Sequence, residues 1–148
     1  MAFDYYLSPV GTLKIVSDGR AVKSISITTD TAAQSCGDSV TAEAARQLGE
    51  YFAGERTQFD LPLKPQGTEF QKKIWDVLLK IPYGTALSYG EVAELNGNKK
   101  ACRAVGNAVG RNPILIVIPC HRVKAADGLG GFSAGIEVKK YLVKKERE

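Results

Sequence analysis

Ile114-Leu115-Ile116-Val117-Ile118-Pro119-Cys120-His121-Arg122 carries more information than any other part of this 148-residue chain. Five consecutive apolar residues read as a buried strand or an extended core segment. The run ends at a proline, and the next two residues are a thiol and the only histidine in the sequence. Cysteine is a strong nucleophile only as the thiolate, and a neighbouring imidazole is one way to lower its pKa. On the rigid shoulder of a core, the pair reads as an activated nucleophile. Adjacent side chains on an extended strand point to opposite faces, so contact between the two calls for a turn at Pro119 or a bridging water. Alone, the pair would read as a buried structural cysteine before a surface His and Arg. Its surroundings reverse that preference.

Upstream of the run the pattern is helical. Thr68 and Gln71 form a capping-box pair. Phe70, Ile74, Val77, Leu78 and Ile81 then share one helix face, which Pro82 ends, and Tyr83-Gly84 reads as a turn. Ser88 and Glu91 open a second helix through Leu95, stopped by Asn96-Gly97. A third runs from about Lys99 to Val109, with Ala101, Ala104, Val105, Ala108 and Val109 expected inside, and Asn112-Pro113 ends it. Two short helices joined by a glycine-containing turn make a helix-turn-helix candidate. Lys99, Lys100, Arg103 and Arg111 lie on or beside the third helix, a basic face that is either DNA-facing or simply solvated. Gly106 is mid-helix, where glycine costs ~1 kcal/mol relative to alanine, which is reasonable if something must approach the backbone closely. Downstream, Lys124–Gly131 reads as a loop. A last helix follows from about Ile136, with Val138, Tyr141 and Leu142 inward and its lysines outward.

The first 67 residues read differently. Phe3, Tyr5 and Leu7 alternate, Ser8-Pro9-Val10-Gly11 turns, Leu13 and Ile15 alternate, and Asp18-Gly19 is a hairpin signal before Val22–Ile27. This predicts an antiparallel meander. Residues 28–40 read as a loop, Thr41–Ala53 as a helix, and Phe59, Leu61 and Leu63 as an extended piece. The organisation expected is an α/β domain at 1–63, a linker at 64–67 (Lys64-Pro65-Gln66-Gly67) and a mainly α domain at 68–148. Charge divides the same way. Residues 1–67 carry six Lys/Arg against eight Asp/Glu, and residues 68–148 fourteen against eight. A basic second module faces an anion, and nucleic acid is the natural candidate.

Cys36, Cys102 and Cys120 are too few and too scattered for a disulfide framework, and Cys36 and Cys102 are expected to be structural. One histidine and no CxxC leave little for a zinc site, so no metal and no cofactor are expected. The opening residues do not read as a signal peptide, no apolar run approaches membrane-spanning length, and a reducing cytoplasm suits a working thiol.

Pro119-Cys120-His121-Arg122-Val123, with Arg103-Ala104-Val105-Gly106, Gly110-Arg111-Asn112-Pro113 and Gly130-Gly131-Phe132-Ser133, resembles the O6-alkylguanine-DNA alkyltransferases. The match covers residues 68–148 almost continuously and residues 1–67 in outline. It implies an N-terminal α/β domain with an RNase H-like antiparallel sheet and a C-terminal winged helix-turn-helix domain. It also implies irreversible, single-turnover transfer of the alkyl group from O6-alkylguanine, and from O4-alkylthymine, in double-stranded DNA to Cys120, by a monomer. By the same resemblance, His121 is the base acting through a water, Glu146 orients it, and Asn112 braces the turn. Tyr89 protonates the departing guanine, and Arg103 fills the space of the flipped nucleotide. Val123, Ser133, Phe132 and Leu115 line the base pocket. Ala104, Gly106, Lys99, Lys100, Arg111 and Ser88 meet DNA. Leu115 replaces a pocket proline and Phe132 a tyrosine of animal members, which bears on the alkyl groups accepted. The alternative is a winged-helix lesion binder or regulator without alkyl turnover. Intact Cys120, His121 and Glu146 favour the transferase.

Overall fold

Turn chemistry and alternation build the first unit of the computed structural model, which describes residues 1–125, 128 and 134–148. The chain divides into two units, Met1–Gln66 and Gly67–Glu148. In the first, β1 (Ala2–Ser8), β2 (Gly11–Ser17) and β3 (Val22–Ile27) form the expected antiparallel meander. The register pairs Tyr6 with Leu13 and Asp4 with Ile15, and β2 carries a bulge at Val16/Ser17. Helix α1 (Ser39–Phe52) packs Ala44, Leu48 and Tyr51 on the face of Leu13, Ile15 and Ile25, all fully buried. Asp4 and Tyr6 share that face: Asp4 accepts from Thr41 and Tyr6 stacks on Phe52. Phe3, Tyr5 and Leu7 therefore lie on the opposite face, where Leu7 is 81% exposed. Helix α1 starts two residues before the expected Thr41, because Asp38 and Thr41 make a reciprocal cap. Of the extended piece at 59–63, Leu63 bridges Val22 in parallel.

The second unit holds α2 (Glu69–Leu79), β4 (Leu87–Ser88), α3 (Tyr89–Leu95), α4 (Cys102–Gly110), a 3-10 turn (Cys120–Arg122), β5 (Val123–Lys124) and α5 (Ile136–Arg147). Both expected capping boxes form, Thr68 with Gln71 and Ser88 with Glu91. Helix α3 stops at Asn96, followed by Gly97 at φ +87°. Trp75, with only 1% of its surface exposed, ties α2 to α4 by donating from Nε1 to Ala108 O at 2.9 Å. Strands β4 and β5 pair in parallel, Leu87 with Val123 and Ser88 with Lys124.

Four expectations fail here, each for a local reason. Helix α4 begins at Cys102, not Lys99, because Asn98 captures the preceding turn: its Oδ1 accepts from Lys100 N and its carbonyl from Ala101 N. Ala104 is exposed, since the buried stripe of α4 is Val105, Ala108 and Val109. The apolar run 114–118 is no strand. It folds into a tight buried turn, with Val117 N donating to Leu115 O at 2.7 Å, Ile118 N to Ile114 O at 3.1 Å, and Ile116 at φ +71°. A β-branched residue held there costs of order 1–3 kcal/mol, which its surroundings must offset. On α5, Tyr141 is 40% exposed and Lys139 is buried to 1%, so one lysine points inward and the tyrosine outward. Among the described residues, no helix is long and apolar enough to cross a membrane.

Candidate active site

The folded apolar run puts Cys120 at the start of a 3-10 turn, so the thiol and the imidazole sit on a bend rather than on opposite faces of a strand. Asn112 builds the bend. Its Nδ2 donates to Ile118 O at 2.8 Å, and its Oδ1 accepts from Ile114 N at 2.9 Å, so one buried amide bridges both arms. Cys120 N closes a further tight turn on Ile118 O at 2.8 Å.

His121 and Glu146 meet on the far side of the turn, Nε2 to Oε2 at 2.6 Å, both buried. Glu146 reads in sequence as part of a solvated charge run. In the fold it is 6% exposed and crowded by donors. Arg122 Nε donates to Oε1 at 2.8 Å and Nη2 to Oε2 at 3.1 Å, while Nη1 reaches Ile81 O at 2.7 Å. The Arg122 guanidinium lies 5.7 Å from the Tyr83 ring centroid. Gly84 N donates to Glu146 Oε1 at 3.3 Å. His121 Nδ1 is buried without a hydrogen-bond partner among the described residues. Lys139 Nζ donates to Val123 O at 2.7 Å, and Val123 N donates to Cys120 O.

Burial dominates the protonation states. It pushes the Cys120 thiol up to about 11, against a hydrogen bond from Asn112 and the nearby charge of Lys139. Burial also lowers His121, outweighing the Glu146 carboxylate that favours its cation. At neutral pH the site holds a thiol beside a neutral imidazole. The sequence argument that the imidazole lowers the thiol's pKa fails for this resting state, because both groups are desolvated. The imidazole is poised to accept a proton. Burial raises Tyr89, and the proximity of Cys120 adds to it.

The remaining expected residues fall in three places. Val123 is fully buried on β5, and Leu115 is 7% exposed in the folded run. Arg103, Ala104, Lys99, Lys100 and Arg111 are exposed on α4 and its flanks, with Gly106 and Ser88 partly so. Lys99 pairs loosely with Glu94 at 3.6 Å, and Ser88 Oγ caps α3. Phe132 and Ser133 lie outside the described residues. Cys36 and Cys102 are free and exposed. Among the described residues, no cluster of three or more His, Cys, Asp or Glu could hold a metal ion.

Residues 69–148 match the family described as "6-O-methylguanine DNA methyltransferase, DNA binding domain", and residues 1–65 match its "ribonuclease-like domain". The chain belongs to the 6-O-methylguanine DNA methyltransferase family. The fold is accordingly a ribonuclease-like α/β domain followed by a mainly α DNA-binding domain. A methylated-DNA–protein-cysteine methyltransferase of Methanosarcina acetivorans is 43% identical over 99% of this chain and 98% of its own length. The Haemophilus influenzae protein of that name is 43% identical over 98% of this chain and 86% of its own. The crystal structure of Mycobacterium tuberculosis OGT in complex with DNA superposes with a TM-score of 0.91 at 41% identity, covering 99% of this chain and 93% of that one.

Sequence reasoning missed Arg122, Lys139 and Gly84 as parts of the site. For Lys139 a signal existed. Lys139, Leu142 and Glu146 stand at i, i+3 and i+7, one face of α5, and all three are buried. Arg122 stands in the family motif without an assigned role, and Gly84 gives no signal, since their partners lie on α5 and in the segment after α2.

Proposed function

We propose that this protein flips O6-alkylguanine, and O4-alkylthymine, out of duplex DNA and transfers the alkyl group irreversibly to Cys120. It acts as a monomer in the cytoplasm. The observation that carries the reading is a buried cysteine on a braced turn beside a neutral histidine held at 2.6 Å by a buried carboxylate. His121 Nδ1 takes the thiol proton through a water. Glu146, bound on the opposite ring nitrogen, stabilises the imidazolium, as the third member of an oriented triad does. The thiolate attacks the alkyl carbon, the carbon–oxygen bond breaks, and Tyr89 returns a proton to the departing base. The target bond lies inside the duplex, so the nucleotide is extruded first, at a few kcal/mol. Arg103, exposed on α4, fills the vacated space, while Lys99, Lys100 and Arg111 meet phosphates. The product thioether is a poor leaving group, so each molecule acts once. Intact Cys120, His121 and Glu146, brought together, support transfer over lesion binding alone.

Intact mass after incubation with an O6-methylguanine duplex tests this. Cys120 gains one methyl group, ~14 Da for replacement of the thiol hydrogen. Mass on Cys36 or Cys102 instead, or no adduct after long incubation, overturns the assignment. Cys120→Ala binds the duplex and never acquires the adduct.

A further inference from the structure

The turn leading out of α2 touches the carboxylate behind the histidine in a way that only glycine allows. Gly84 has φ +76°, in the left-handed region. Its N–H donates to Glu146 Oε1 at 3.3 Å. A Cβ at this position would stand 3.0 Å from the backbone oxygen of Glu146. The last turn of α5 therefore rests on bare glycine backbone. The same segment supplies Ile81 O to Arg122 and the Tyr83 ring beneath its guanidinium. Arg122 in turn holds both oxygens of Glu146.

We propose that Gly84 is a positioning residue for alkyl transfer: its N–H and its missing side chain set where the Glu146 carboxylate stands, and through it the orientation and basicity of His121. The proposal rests on the alkyl-transfer reading above. A side chain at Gly84 forces the α5 backbone to give way by roughly a few tenths of an ångström, since Cβ contacts this short are rarely tolerated. The 2.6 Å His121–Glu146 bond is short, so a shift of the carboxylate bears directly on it. Glu146 is the group that favours the His121 cation against burial. Displaced, it leaves a weaker base and a less well aimed ring. Arg122 and Lys139, the cations facing the pair, disfavour that cation further.

Single-turnover methyl transfer from saturating O6-methylguanine duplex gives two readouts from the full chain. The amplitude counts competent molecules, and the rate constant reports the chemistry. Gly84→Ala is compared with Gly54→Ala. Gly54 has φ +78° and nothing within 4 Å of a built Cβ, so it carries the same backbone strain at an open position of the first unit. General-base assistance is worth 10²–10⁴-fold, so partial misalignment at Gly84→Ala is expected to cost about 10-fold in rate at pH 7 relative to Gly54→Ala. The deficit narrows by pH 9.5, as the thiol approaches its own pKa of about 11 and needs the base less. Gly84→Asn tolerates the backbone conformation better, carries the same Cβ, and shows the same rate loss. A loss of amplitude alone, a rate equal to that of Gly54→Ala, or a deficit that does not change with pH overturns the proposal. A wild-type protein that takes up no methyl group overturns the reading beneath it instead.

Discussion

Gly106→Ala should make the protein more stable and worse at its task. Gly106 lies inside α4, where alanine is favoured over glycine by ~0.5–1 kcal/mol. A Cβ there meets only two ring carbons of Tyr89, each at 3.9 Å, an ordinary contact that nothing must move to accommodate. The fold itself therefore gives no reason for glycine. At ~4–8 °C per kcal/mol for a domain of this size, the transition of the second unit should rise by a few degrees. The functional cost lies on the solvent-facing side of that same methyl group. Gly106 and Gly110 follow Arg103 at i+3 and i+7, so the three share a face of α4, and Gly110 has nothing within 4 Å of a built Cβ. If DNA approaches that bare backbone, an added methyl group holds it off. Losing one charge-assisted hydrogen bond, about 1.5 kcal/mol, weakens duplex binding roughly 10-fold. Calorimetric unfolding and duplex titration at fixed salt make the two measurements. A lower transition temperature would refute the packing argument. Unchanged duplex affinity would show that DNA does not press on this face.

Two further outcomes are expected. Arg103→Ala should slow repair of duplex O6-methylguanine by at least ~10-fold while leaving reaction with free O6-benzylguanine near normal, because on the proposed mechanism only the duplex requires a flipped nucleotide; equal losses on both substrates would make Arg103 a support of the fold. Iodoacetamide at pH 7.5 should label exposed Cys36 and Cys102 well before buried Cys120, whose labelling should climb ~10-fold per pH unit towards its pKa of about 11; rapid labelling of Cys120 at neutral pH would show a preformed thiolate.

What the sequence made legible were features set by local chemistry. Capping boxes at Thr68 and Ser88, stops at Asn96-Gly97 and Asn112-Pro113, and the alternation of the meander all depend on neighbours within a few residues. The helix-turn-helix followed from them. What failed depended on partners far along the chain. Five apolar residues at 114–118 satisfy a buried strand and a buried turn equally well. The choice fell to Asn112, whose side chain takes one donor and one acceptor from the two arms. Lys139 looked like its exposed neighbours because its partner, Val123 O, lies sixteen residues upstream. Glu146 taken alone reads as part of a solvated charge run and is placed behind His121 only through the family resemblance, because Arg122, His121 and Gly84 reach it from two other segments. The family resemblance supplied Cys120, His121, Glu146 and Asn112, and the fold adds the donors that crowd the carboxylate, Arg122 and the Gly84 N–H.

On the proposed single-turnover mechanism, the protonation states explain why the protein would bury its nucleophile. With burial pushing its pKa up to about 11, Cys120 is overwhelmingly a thiol at pH 7. A standing thiolate would react with any small electrophile, and each such event would remove a molecule from service. Here reactivity is conditional instead. The imidazole is neutral and able to take the proton, but the cation it then becomes is disfavoured by burial and by Arg122 and Lys139, and is supported chiefly by Glu146. Charge separation is therefore uphill in the resting site; on the proposed mechanism a substrate seated against the sulfur takes up the thiolate charge as it forms, and Tyr89 protonates the leaving base. On that reading the selectivity comes from the carboxylate's setting, where the segments at Gly84 and Arg122 hold the Glu146 side chain that α5 carries.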